Sequence, residues 1–167
     1  MPDHEIEYSP DAADIQTHAV AFAQMMFSHA RFEREVRALQ GTITREPAYG
    51  EEASNQFRNA RNRPKDMAKL IKVHRGDGCP EAEAIVKVLC DAVEPCDQRN
   101  DLAHGEWWCF DRRSLAISVR SGTRRKDDQH PQHFEYTAPQ IAAIGECFET
   151  LDAELFKLRR SIENQDE

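Results

Sequence analysis

The chain has 167 residues, of which 40% are hydrophobic and 31% are charged, and its formal net charge at pH 7 is -8. This length suffices for one domain with a hydrophobic core but not for two of ordinary size. No apolar run approaches the ~20 residues of a membrane span, and the acidic N-terminus lacks the basic start of a signal peptide, so we expect a cytoplasmic protein without membrane association.

A loose polar lead-in over residues 1–12 precedes a long amphipathic helix, predicted from about Asp14 to Gln40 with Gly41 as its stop. Its apolar positions are spaced alternately by four and three residues, which is typical of packing along another long helix. These positions are His18, Phe22, Met25, His29, Phe32, Val36 and Leu39. The two histidines could face a catalytic cleft, but histidines on an apolar face are more often core residues with hydrogen-bond partners.

Two shorter helices are predicted next. A loop over residues 41–55 leads to a helix that begins at Pro64, which suits a first helical turn, and ends at Gly76. Another helix should begin near Pro80. Pro95 interrupts its pattern, so this helix either kinks there or ends and restarts.

The segment after Pro95 combines a permanent cation, an imidazole, polar side chains, a glycine and two aromatic residues. Its sequence is Arg99-Asn100-Asp101-Leu102-Ala103-His104-Gly105-Glu106-Trp107-Trp108. A guanidinium offers a planar fork that matches a phosphate, and an imidazole exchanges a proton near neutral pH. Gly105 in the left-handed conformation would close the helix and leave His104 in its last turn. The pattern suits phosphodiester chemistry at a helix end.

This segment resembles a known motif. Arg99 and Asn100, followed by three residues and His104, resemble the Arg-polar-x(3)-His motif of the HEPN superfamily over about ten residues. Members of that superfamily are small helical bundles, and many are metal-independent endoribonucleases of toxin, antiphage and RNA-processing systems. The resemblance implies that Arg99 and His104 are catalytic and that Asn100 is the polar residue that commonly follows the arginine. It also implies a homodimer, because HEPN domains commonly pair so that two motifs form one cleft.

Helix geometry constrains how this motif could act. In a straight helix, residues five apart differ by about 140° in direction and about 7.5 Å in rise, so Arg99 and His104 would not share a face. A kink, a frayed last turn or a second subunit must bring them to one phosphate, and the resemblance favours the second subunit. His104 would then be the general base for a ribose 2′-hydroxyl, its twin would protonate the leaving 5′-oxygen, and Arg99 would stabilise the phosphate charge. This RNA cleavage needs no metal and no cofactor.

A non-catalytic function remains an alternative. Arg99 and His104 could be ordinary capping or surface residues, with Asp101 as the partner of either. The protein would then be a HEPN-like module that binds a protein partner or a nucleotide. An antitoxin partner, or an antitoxin role for this chain, is also compatible with the sequence, because its acidic termini could mask a basic partner.

The five cysteines are scattered, odd in number and free of any CxxC pair, as expected of reduced thiols in a cytosolic chain. The ligands of a conceivable zinc site would be Cys90, Cys96, His104 and Cys109. Their spacing fits no usual zinc knuckle, so we expect no metal.

After Gly105 the apolar pattern changes to a period of two. It predicts a β-hairpin within residues 106–136, with a third strand at His133–Tyr136. We expect Trp107, Arg124 and Arg125 to contribute to RNA binding, the tryptophan by stacking on bases. Alternatively, the tryptophan covers the helical bundle.

The last predicted helix begins with the capping box Thr137-Ala138-Pro139-Gln140. Its apolar positions are Ile141, Ile144, Phe148, Leu151, Leu155, Leu158 and Ile162. It should lie along the first helix, and the acidic tail 163–167 should fray. We therefore predict a single, mainly α domain over residues 1–167. It would be an antiparallel bundle of four to five helices, long first and last, with a small β-hairpin or three-stranded β insertion after the motif helix.

The negative charge is concentrated at the chain ends. Residues 1–30 contain five acidic residues and no Lys or Arg, and residues 161–167 contain three acidic residues and no Lys or Arg. The remaining residues, 31–160, form the body of the chain, which has no net charge. Two segments within the body are basic: 56–75, with seven Lys or Arg residues and one Asp, and 112–126, with six and no acid. Either could steer a nucleic acid, or both could be solvated faces.

Overall fold

The computed structural model describes residues 12–46, 59–109, 114–119 and 132–166. The elements are α1 (Ala12–Thr44), α2 (Arg63–Arg75), α3 (Ala82–Asp91), α4 (Val93–His104), β1 (Glu106–Cys109), β2 (Ser114–Val119), β3 (Gln132–Thr137) and α5 (Ala138–Gln165). The predicted mainly helical fold, with long first and last helices, is confirmed. Within the described ranges, no helix is long and apolar enough to cross a membrane.

The two long helices pack along each other and run in the same direction. Four side-chain hydrogen bonds connect the residue pairs Ser28–Glu149, Arg31–Asp152, Thr42–Glu163 and Arg45–Asp166, each 121 positions apart. A constant offset means that both helices advance together, so α1 and α5 are parallel. The prediction of an antiparallel bundle is therefore wrong for this pair. The spacing of apolar residues is the same in either direction, which is why the pattern did not determine the orientation.

Helix α1 continues past the predicted stop at Gly41. It ends at Thr44, and the next residue, Arg45, has a left-handed φ of 61°. A glycine inside a helix costs about 1 kcal/mol, whereas burying a side chain such as that of Ile43 gains about 1.5–3 kcal/mol. Ile43 is fully buried, and the Thr44 hydroxyl donates to the carbonyl oxygen of Gln40 at 3.0 Å. The contacts of the last turn thus outweigh the glycine.

The five described helices contribute to one hydrophobic core. The predicted apolar faces of α1 and α5 meet at its centre, where the rings of Phe32 and Phe148 lie 5.7 Å apart. The shorter helices add Met67, Leu70, Ile71, Ile85, Val88, Leu89, Cys96 and Leu102. Burial of these side chains holds α2, α3 and α4 against the long pair.

The motif helix α4 is separate from α3. The break falls at Ala92, and Pro95 lies in the first turn of α4, where its missing N–H removes no helical hydrogen bond. Of the two outcomes predicted for Pro95, the structure has the helix ending and restarting. Gly105 ends α4 with its N–H donating to the Asp101 carbonyl at 2.9 Å. Its φ of -78° and ψ of 157° are extended, so the predicted left-handed conformation is wrong and the chain passes directly into β1.

The three strands follow α4 in the order β1-β2-β3, with antiparallel backbone pairing. Trp107 lies opposite Ile117, and Ile117 lies opposite Phe134. The connecting residues 110–113 and 120–131 lie outside the described ranges, so the hairpin with its turns stays a prediction.

Helix α5 begins at the predicted capping box. The Thr137 N–H donates to Gln140 Oε1 at 2.7 Å, and the Gln140 N–H donates to the Thr137 hydroxyl at 3.4 Å. The prediction of a frayed tail is wrong, because α5 extends to Gln165 and Asp166 accepts hydrogen bonds from Arg45 and Arg75. These contacts fasten the end of α5 to α1 and α2.

Candidate functional site

Arg99 extends from α4 toward α1 and contacts His29. Its Nη2 lies 3.3 Å from His29 Nδ1, and its Nη1 donates to Asn100 Oδ1 at 2.7 Å. A guanidinium can only donate hydrogen bonds, so Nδ1 must be the acceptor in this contact. An imidazole that accepts this hydrogen bond carries its proton on Nε2.

Glu33 lies one helical turn after His29 on α1 and accepts on the other side of the ring. His29 Nε2 is 3.4 Å from Glu33 Oε1. Arg63, at the start of α2, places its Nη2 2.8 Å and 3.1 Å from the two carboxylate oxygens of Glu33. Burial raises the pKa of Glu33, but the hydrogen bond from His29 and the charge of Arg63 lower it by more, and the net pKa lies below its ordinary value. Glu33 is thus a carboxylate at neutral pH.

These side chains line one cleft of about 320 Å³. Its lining consists of His29, Glu33, Arg37, Ala60, Arg63, Cys96, Arg99 and Asn100. Three guanidinium groups and one carboxylate surround the imidazole, and together they carry an excess of two positive charges. A concave surface of this charge attracts anions, and a phosphate is the anion that guanidinium groups match best.

Arg99 also has an unused hydrogen-bond donor. Its Nε is buried and has no hydrogen-bond partner among the described residues. An unsatisfied buried donor costs about 1–3 kcal/mol. An anion that reached Arg99 from the cleft would recover this cost.

His104 does not line the cleft. It is the last residue of α4 and is exposed, five positions after Arg99. As helix geometry predicts, the two residues of the motif do not meet within one chain. The cleft unites Arg99 and Asn100 with His29 instead.

For His29 the sequence left open a place in a catalytic cleft and the more common place in the core. His29 is only 8% exposed, and its ring contacts that of Phe148 edge-on at 4.9 Å, as a core residue would. Its signal in the sequence was Glu33, which lies four positions later on the same side of the helix. Arg63 gave no signal beyond its place in a basic segment.

The other predicted substrate-binding residues cannot be placed at the site. Trp107 belongs to β1, where only the backbone is described. Arg124 and Arg125 lie outside the described residues. Their roles stay predictions.

Three arginines of the basic segment 56–75 are engaged in contacts within the chain, whereas Lys65, Lys69 and Lys72 are exposed. Arg63 binds Glu33 within the cleft, and Arg61 pairs with Asp97 at 2.7 Å. Arg75 donates to Asp166 and to the carbonyl oxygen of Ile43. Arg63 and Arg75 thus connect α2 to the long helices, while Arg61 forms an exposed ion pair with α4.

Among the described residues, one group of side chains has the spacing of metal ligands. His29, Glu33 and Cys96 each place a potential ligand atom within 4.8 Å of the other two. Arg63 occupies both oxygens of Glu33, and burial raises the pKa of the Cys96 thiol to about 11. With three arginines lining the same cleft, the local charge favours an anion over a divalent cation.

The conceivable zinc site is not assembled in the described part of the chain. Cys90 is exposed on α3, Cys96 is buried, and His104 is exposed at the end of α4. Cys109 belongs to β1, where side chains are not described.

Comparisons with known proteins give no match: no protein-family model, no curated protein and no solved structure matches the chain. The HEPN resemblance therefore stays a prediction, based on residues 99–104.

Proposed function

We propose that the protein is a metal-independent endoribonuclease of HEPN type that binds the scissile phosphate in the cleft around Arg99. The observation that carries this proposal is the position of Arg99 in a cleft with an excess of two positive charges, beside an imidazole and Asn100. Arg99 stabilises charge on the phosphate oxygens, and Asn100 orients Arg99 through their 2.7 Å hydrogen bond.

The reaction proceeds by internal attack. The ribose 2′-oxygen loses its proton to a base and bonds to phosphorus, the bond from phosphorus to the 5′-oxygen breaks, and that oxygen takes a proton from an acid. The products are a 2′,3′-cyclic phosphate and a 5′-hydroxyl. Two proton-transfer groups are needed, and imidazoles suit both roles near neutral pH.

His104 takes one of these roles from a second copy of the chain. Within one chain it lies outside the cleft, about 7.5 Å along the helix axis from Arg99. A homodimer that brings the partner's α4 to the cleft supplies the missing imidazole. On the same resemblance to HEPN proteins, we further propose that the protein acts in the cytoplasm as a toxin or in defence. Its partner would be an antitoxin or another protein.

The test is cleavage of a mixed single-stranded RNA and tRNA substrate in EDTA. Wild type should yield cyclic-phosphate ends, and His104→Ala should lose activity by about 10²-fold or more. His74→Ala, which removes an exposed imidazole on α2 outside the cleft, is the matched control and should stay active. Activity that disappears on chelation, or that survives in His104→Ala, contradicts the proposal.

The second candidate is a non-catalytic module that binds a protein partner or a nucleotide. It is favoured by the way Arg99 already uses both terminal nitrogens within the chain, on Asn100 and His29, as a structural arginine would. In that case, Arg99→Ala lowers stability or partner affinity, and a folded wild type cleaves none of several RNAs.

A further inference from the structure

We propose that His29 is a functional imidazole of this cleft: Glu33 holds its Nε2–H, and its Nδ1 serves as the base for an RNA whose phosphate Arg99 binds. The substrate in this inference rests on the proposed function. The placement of an anion beside His29 does not, and it can be tested separately.

The tautomer of His29 is the one that a base requires. Arg99 can only donate, so the lone pair of Nδ1 faces Arg99 and the proton of Nε2 faces Glu33. A carboxylate behind an imidazole fixes the ring orientation and stabilises the imidazolium that forms when the other nitrogen takes a proton. Glu33 is itself fixed by the buried Arg63, which is 3% exposed.

The contact between Arg99 and His29 is easily exchanged. It joins Arg99 Nη2 to a single imidazole nitrogen at 3.3 Å. A phosphate offers Arg99 anionic oxygens that can accept two parallel N–H bonds, whereas the imidazole offers one neutral acceptor. When Arg99 binds the phosphate, it no longer contacts Nδ1 of His29. Nδ1 can then accept a hydrogen bond from the RNA that carries this phosphate.

Charged and titratable side chains from three described helices surround His29. The charged and titratable groups are Glu33 and Arg37 on α1, Arg63 on α2, and Cys96 and Arg99 on α4. Helix α5 contributes the uncharged ring of Phe148. Among the described residues, the polar contact of Nδ1 is with Arg99, a cation that an incoming phosphate would bind.

With this assignment, both proton transfers of the reaction have a named group. Nδ1 of His29 takes the proton of the 2′-hydroxyl as the 2′-oxygen bonds to phosphorus. The bond to the 5′-oxygen breaks, and the leaving oxygen takes a proton from His104 of the second copy. His29 thus fills the base role, which leaves the acid role to His104.

The first test measures the histidine ring nitrogens of the full-length protein by ¹⁵N NMR, with inorganic phosphate as the probe at constant pH. His29 should start in the Nε2–H tautomer, and its resonances should shift saturably with phosphate. Arg99→Gln should abolish the shift, whereas Arg34→Gln, which changes an exposed arginine on α1 outside the cleft, should preserve it. An Nδ1–H tautomer, no phosphate response, or a response of His104 alone overturns the proposal.

The second test measures RNA cleavage by His29→Asn across pH. The expected result is a fall in kcat of about 10²-fold or more with little change in KM, and loss of the decline toward acid pH that an imidazole base produces. If wild type cleaves RNA and His29→Asn keeps its rate and pH profile, the assignment of His29 is overturned while the nuclease stands. If wild type cleaves no RNA, the base role falls with the proposed function, and a phosphate response of His29 still establishes the anion site. Should His29→Asn fail to fold, the wild-type titration decides.

Discussion

At the scale of single residues, the cleft depends on Glu33, a carboxylate between a buried arginine and an imidazole. Arg63 keeps only 4% of its side chain exposed and Glu33 keeps 24%. Removing one partner of such a pair leaves the other charge poorly compensated, which costs more than the net value of the pair itself. Glu33 therefore has two effects: its ion pair with Arg63 stabilises the fold, and its contact with His29 favours a proton on Nε2.

The stability contributed by Glu33 should depend on pH. Its folded-state pKa lies below the ordinary value of 4.5, so its contribution is complete above that value and is lost as the pH falls through the folded-state pKa. At pH 7, Glu33→Gln should lower the free energy of unfolding by about 1.5–3 kcal/mol. The difference from wild type should hold down to pH 5.5 or so and shrink below about 4.5, as measured by urea unfolding.

Glu146→Gln on the exposed side of α5 is the control, and it should show a small effect without this pH dependence. A Glu33→Gln difference that stays constant, or grows, as the pH falls below 4.5 would refute the account of this carboxylate.

Cys96 should react slowly with alkylating reagents in the folded protein. It is 4% exposed, and burial raises the pKa of its thiol to about 11, so the reactive thiolate is scarce at pH 7–8. Cys90, which is exposed, should be modified first. Time-resolved iodoacetamide labelling with peptide mass spectrometry distinguishes the two sites, and labelling in urea should equalise them. Equal rates in the folded protein would contradict the buried position of Cys96.

At the scale of elements, the parallel pair α1 and α5 requires a close approach at Gly145. A Cβ added there would lie 3.1 Å from the backbone Cα of Met25, a helix atom inside the core that cannot easily shift. Overpacking costs about 1–3 kcal/mol, more than the ~1 kcal/mol that alanine gains over glycine in a helix. Gly145→Ala should therefore lower the free energy of unfolding, measured in urea.

Gly78→Ala is the matched control, because a Cβ at Gly78 would meet nothing within 4 Å. It should leave stability within about 0.5 kcal/mol of wild type. A Gly145→Ala protein at least as stable as the control would mean that the two helices are not this close.

The sequence predicted those helix features that depend on neighbouring residues. The capping box at Thr137 and the end of α2 at Gly76 are local patterns, and they are confirmed. Helix α2 begins at Arg63, one residue before the predicted Pro64, which lies in its first turn. The end of α1 was wrong because burial of Ile43 overrode the signal of Gly41. The direction of α5 relative to α1 could not be predicted, since an apolar stripe does not encode direction.

At the scale of the whole molecule, the cleft joins residues from three helices. Arg99 and His29 are 70 positions apart in the chain, and Arg63 comes from a third helix. The motif indicated Arg99 and Asn100 from local spacing alone. Their meeting with His29 depends on how α4 packs against α1, and no local pattern specifies that packing.

The measurement that tests the central claim most directly is RNA cleavage in EDTA by wild type, Arg99→Gln and Arg34→Gln, at matched thermal stability. We predict that wild type and Arg34→Gln produce cyclic-phosphate ends and that Arg99→Gln loses about 10²–10³-fold in rate, the usual effect of removing a donor that stabilises transition-state charge. Equal cleavage by Arg99→Gln and wild type, or no cleavage of any RNA by the folded wild type, would contradict the assignment of this cleft as a ribonuclease site.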